Sequence, residues 1–100
     1  MNFLKSWDSK MFEIIRDDKF IKTAKKFLKK HPDLVDKFKQ TVCKLENDPF
    51  EASLKLHKLQ GNLEKFHAVR LTYEYRIVLV LQIVDEQIVL VDIGTHDDVY

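Results

Sequence analysis

The sequence predicts a single α+β domain: a short N-terminal strand, a helical hairpin, then a three-stranded antiparallel meander, with both helices on one sheet face. Two observations carry this. Apolar residues recur every three or four positions through two successive stretches in the first half of the chain, the period of a helix buried along one stripe. From residue 65 onward the pattern changes to alternation and β-branched runs, the period of strands. A chain of 100 residues gives one core and one domain.

The elements follow in order. "MFEII" (residues 11–15) reads as a strand with Phe12 and Ile14 on one side. Asp17 and Asp18 offer caps for a helix through Lys30, whose buried stripe is Phe20, Ile21, Ala24, Phe27 and Leu28. "HPD" (residues 31–33) breaks it, with Pro32 placed to open a second helix. That helix turns Leu34, Val35, Phe38, Val42 and Leu45 inward and stops at "NDP", where Pro49 disfavours helix at Asp48. A connector holding Leu54, Leu56 and Leu59 leads to a turn at Gly61-Asn62. In residues 65–72, Phe66 and Ala68 fall on one side and His67, Val69 and Leu71 on the other. "YRIVLVLQIV" (residues 75–84) sets Tyr75, Ile77, Leu79, Leu81 and Ile83 against Arg76, Val78, Val80 and Gln82. Asp85-Glu86 turns the chain back into "QIVLVDIG" (residues 87–94). The sheet face away from the helices, with Arg76 and Gln82, is then open to serve as a binding surface, and His67 is a candidate to share it.

Composition narrows the function classes. One cysteine, Cys43, excludes an internal disulfide and reads as a half-buried structural thiol. No Cys/His pair has zinc-ligand spacing. "IVLVLQIV" is too short to span a bilayer as a helix, and "MNFLKSWDSK" lacks the apolar block of a signal peptide, so the expected location is the cytoplasm and no membrane partner is expected. The net charge of +1 conceals an asymmetry: residues 1–44 hold 12 Lys and Arg against 6 Asp and Glu, whereas residues 45–100 hold 5 against 10. Six lysines, Lys19, Lys22, Lys25, Lys26, Lys29 and Lys30, belong to the first helix, either as a solvated face or as a contact for RNA.

Three stretches then stand out in order: "HKLQG" (residues 57–61), "YRIV" (residues 75–78) and the final "IGTHDDVY" (residues 93–100). Placed after a helical hairpin, they resemble the RelE/ParE superfamily of toxins from bacterial type II toxin–antitoxin pairs, and within it the RelE and YafQ-like branch. The resemblance spans residues 11–100 and leaves residues 1–10 as an extension. It implies a microbial-ribonuclease-like fold, cleavage of mRNA on the ribosome without metal or cofactor, and a cognate antitoxin that neutralises the toxin in a hetero-oligomer. By the same resemblance His57, His67 and His96 match acid/base histidines, Arg76 a phosphate-binding arginine, and Tyr100 the terminal aromatic. Asp92 stands where the YafQ-like branch has an arginine, and Val69 where RelE has a lysine.

The residue types suit that chemistry. Histidine titrates near neutral pH and serves to take the 2′-hydroxyl proton or to protonate the leaving 5′-oxygen. Arginine keeps its charge and grips two phosphate oxygens at once. A terminal aromatic stacks on a base. The expected catalytic set is His96 with His67 as the acid/base pair, Arg76 as the clamp, Tyr100 orienting the scissile nucleotide and His57 assisting. The alternatives are a ParE-like inhibitor of DNA gyrase without nuclease activity, and a degenerate toxin that only binds its antitoxin.

Overall fold

The computed structural model describes residues 11–63 and 65–95 of the chain. Within them lie β1 (Glu13–Arg16), α1 (Asp18–Lys30), α2 (Val35–Asn47), β2 (His57–Lys58), β3 (His67–Arg70), β4 (Tyr75–Gln82) and β5 (Gln87–Thr95). Asp17 caps α1 as expected: its Oδ1 accepts the Phe20 amide at 2.7 Å. Pro32 does not begin α2 itself. It opens a one-turn 3-10 segment, Pro32–Leu34, and the α-helix starts at Val35. α2 stops at Asn47, where Asp48 turns extended at φ −163° ahead of Pro49.

The sheet is mixed and five-stranded, in the order β1-β5-β4-β3-β2. β1 joins the meander as an edge strand parallel to β5, with Ile14 opposite Ile88. The connector after α2 contributes one more strand than alternation revealed, the two-residue β2, which pairs antiparallel with β3. Two residues are too few to show a period.

The helices cover one face. Phe20 and Ala24 of α1 and Leu45 of α2 meet Val69, Ile77, Leu79, Ile88, Leu90 and Ile93 of the sheet, with Phe27, Phe38 and Val42 packed around them. The opposite face is not entirely open. Leu59, Ala68 and Val78, with Leu63, Phe66 and Val91 against them, form a second, smaller apolar cluster. Cys43 is exposed, not half-buried, and lies beside the Asn47 amide. It sits on the water side of α2, one position on from Val42, where helical rotation carries it off the buried stripe.

A β-bulge sets the register of the last strand. Val78 of β4 pairs with Asp92, but the next residue, Leu79, pairs with Leu90, so Val91 has no partner. The extra residue lets Ile88, Leu90 and Ile93 all enter the main core while Asp92 stays out of it.

Burial predicts the cost of truncation. Leu45→Ala, at a site with no exposure, is expected to lower stability by about 2–5 kcal/mol in urea denaturation. Asp17→Ala should cost about 0.5–2 kcal/mol through the lost cap. Val84→Ala, at a residue 95% exposed, should stay within about 0.5 kcal/mol.

Candidate functional site

Two rows of residues cross the sheet on the face away from the helices. In the first, His57 of β2, Ala68 of β3, Val78 of β4 and Asp92 of β5 stand opposite one another in turn. The second row, two residues along, is Arg70, Arg76 and Gly94. Adjacent strands are about 4.8 Å apart, so the Arg70 and Arg76 side chains leave the backbone within roughly 5 Å of each other. Two like charges directly opposite on a sheet are unfavourable unless something anionic lies between or beside them. Gly94, opposite Arg76 on the other side, brings no side chain to the row.

The turn before β4 holds this pair in place. The Thr72 hydroxyl accepts the amides of Glu74 and Tyr75, both at 3.2 Å. The Tyr75 carbonyl accepts the amides of Leu71 at 2.9 Å and Thr72 at 3.1 Å. Arg76 follows directly and is half-buried, whereas Arg70 is exposed, with its guanidinium 5.9 Å from the Tyr73 ring centre.

His57 is exposed on β2, and its Nδ1 lies 3.0 Å from the Lys55 carbonyl oxygen. A carbonyl only accepts, so Nδ1 is the protonated nitrogen in the neutral ring and Nε2 carries the lone pair. Lys55 itself adopts a left-handed conformation, φ 54° and ψ 42°, which turns the chain out of the preceding 3-10 segment into β2.

The structure corrects the expected place of His67. It pairs with Leu79, a core residue on the helix side, and so it does not share a face with Arg76. Parity already separated His67 from Ala68; what it lacked was the pairing that puts Ala68 and Arg76 on the same side. His67 is half-buried, and its Nδ1 is enclosed without a hydrogen-bond partner. Desolvation first, then Lys58 and His57, hold its imidazole below the ordinary 6.5. His96 and Tyr100, like residues 1–10, lie outside the described residues.

The profile of the family described as "Bacterial toxin of type II toxin-antitoxin system, YafQ" matches residues 12–100. The chain belongs to this family of type II toxins. Solved structures agree on the fold. E. coli YafQ is 23% identical, with a TM-score of 0.74 over 89% of this chain and 98% of that one. The YafQ of an E. coli DinJ–YafQ toxin–antitoxin complex is 23% identical at a TM-score of 0.73, over 90% and 98% of the two chains. A metal-bound toxin from Helicobacter pylori is 26% identical at a TM-score of 0.73, over 90% and 100%. Among curated protein sequences none matches.

In this toxin the sheet face brings together Arg76 and His57 of the expected set and adds Arg70, which sequence reading passed over. The signal for Arg70 was present: it continues the Phe66, Ala68 parity and is the one charged residue of that series. Among the described residues no three His, Cys, Asp or Glu side chains converge as a metal site, and no helix is long and apolar enough to cross a membrane.

The His67 shift has a sign. Its proton is bound more weakly in the folded toxin than in the unfolded chain, so protonation favours unfolding. The cost is absent above the unfolded value of 6.5 and grows as pH falls below it toward the lower folded value. The urea midpoint should therefore fall between about pH 7.5 and about pH 5.5, and fall less in His67→Leu, which has neither the proton nor the enclosed nitrogen.

Proposed function

We propose that this toxin is an endoribonuclease that cleaves mRNA, on the ribosome, without a metal, and that a cognate antitoxin neutralises it in a toxin–antitoxin complex. The observation that supports this most is the opposed pair Arg70 and Arg76 on the same sheet face as His57. Two planar guanidiniums on one face can donate to the non-bridging oxygens of a phosphate diester placed over the pair. An exposed imidazole whose Nδ1 lies 3.0 Å from a carbonyl oxygen stands on the same face, as proton transfer to or from the ribose requires. The antitoxin follows from relatives solved as DinJ–YafQ complexes.

The reaction balances with these groups. A base removes the 2′-hydroxyl proton, and the 2′-oxygen attacks phosphorus. The bond to the 5′-oxygen breaks as an acid returns a proton to it, leaving a 2′,3′-cyclic phosphate and a 5′-hydroxyl. Here the His57 Nε2 is the base and His96 the acid, Arg76 and Arg70 hold the negative phosphorane-like transition state, and Tyr100 stacks on the scissile nucleotide. His67, on the other face, acts on neither proton.

A second reading draws on Asp92, whose carboxylate is on the same face as Arg76 and lowers its positive potential. A toxin that keeps fold and antitoxin binding without catalysis, or one that inhibits gyrase, would tolerate this.

The test is translation-coupled cleavage in a bacterial in vitro system, with cut sites mapped by primer extension. Wild type should cut mRNA. Arg76→Gln should lose about 100-fold or more in rate, and His96→Ala about 100- to 10,000-fold. His67→Leu should keep most of its activity. Intact mRNA with folded wild-type protein would sink the ribonuclease reading and direct the work to a gyrase assay.

A further inference from the structure

On the helix side, where β5 ends and β4 begins, the end of α1 and the sheet enclose a cleft of about 360 Å³. Lys26, Phe27 and Lys30 enter it from one side of α1, His31 from the helix end, and Tyr75 and Thr95 from the paired ends of the two strands. The three rings touch one another. Phe27 and His31 have centroids 4.6 Å apart, Phe27 and Tyr75 5.0 Å in an edge contact, and His31 and Tyr75 4.9 Å. They line one side of the cleft, Phe27 and Tyr75 packed also against the main core, with two exposed lysines beside them.

We propose that this cleft binds a nucleotide of single-stranded RNA next to the one held at the Arg70–Arg76 pair. The proposal deepens the ribonuclease reading and rests on it for the identity of the strand. An aromatic wall accepts any base by stacking, and lysines beside it suit the adjoining phosphate. Volume agrees, since small-ligand sites begin at roughly 300 Å³. Position decides between RNA and an acidic peptide. Tyr75 and Arg76 are consecutive residues of β4 whose side chains leave opposite faces at the same strand end. A strand of RNA that passes over this end meets the guanidinium pair on one side and the aromatic cleft on the other. A stacking wall joined in this way to a phosphate site is what a polynucleotide uses; a peptide has no need of the second half.

The experiment uses the full chain and a non-cleavable 2′-O-methyl RNA tetranucleotide, followed by NMR of the aromatic side chains and by fluorescence anisotropy. The rings of Phe27, His31 and Tyr75 should shift on titration. His31→Ala and the double variant Lys26→Ala/Lys30→Ala should each weaken binding about tenfold, with folding checked by circular dichroism. Shifts confined to the Arg70 and Arg76 face, with affinity unchanged in both variants, would overturn the cleft and leave the ribonuclease reading intact if wild type cuts mRNA. Shifts in the three rings without any mRNA cleavage would support the cleft and sink the nuclease. Ring shifts with an acidic Glu/Phe peptide but not with the tetranucleotide would overturn the proposal in favour of a protein partner.

Discussion

One unpaired residue in β5 governs which face the last residues of the sheet occupy. Val91 bulges from the ladder between Leu90 and Asp92, and from that point every side chain of β5 changes face relative to an unbroken strand. Without it, continuing from Ile88 and Leu90, the strand would turn Asp92 into the apolar core and Ile93 out to water. With it, Ile93 closes the core, Gly94 stands beside Arg76, and Thr95 faces the same side as Tyr75. That one insertion sets the β5 neighbours of both the basic pair and the aromatic cleft, Gly94 and Thr95.

The rest of the architecture supports this strand. β5 pairs with β4 along nearly its whole length and with β1 in parallel on its other side, and its Ile88, Leu90 and Ile93 lie in the main core with Phe20 and Ala24 of α1. The main core therefore has no reason to leave the helix side. The opposite face gains only the small cluster around Leu59, Ala68 and Val78, which closes part of the sheet and leaves the Arg70–Arg76 row beyond its edge. That row sets two guanidiniums on one face, with the Asp92 carboxylate in the row beside them.

Much of the fold was legible because local physics decides it. The capped helix after Asp17, the break at Pro32 and the stop before Pro49 each rest on one or two residues and their neighbours in sequence. The detail of α2 was not: Pro32 satisfies a 3-10 turn as readily as a first α-helical turn, and the chain forms the former. β2 escaped notice because its two residues are strand only by virtue of β3. Among the candidate site residues the face of Arg76 was legible from strand alternation, while its part as a phosphate clamp came from the family resemblance. His67 was misplaced because its alternation could be read without knowing which face it alternated toward. Arg70 was overlooked because a charged residue at a strand end has no pattern of its own until a second arginine stands opposite.

What the sequence determined by itself was therefore the class of the fold, the order of its main elements and, through the "HKLQG", "YRIV" and "IGTHDDVY" stretches, membership of the toxin family. These depend on periodicity, capping and residue order, all of which are local or linear. Only the tertiary structure decided the parallel pairing of β1 with β5, the bulge at Val91, the separation of His67 from Arg76 and the union of Arg70 with Arg76. Each of these is a matter of strand register, and register is set by side chains from distant parts of the chain competing for one core.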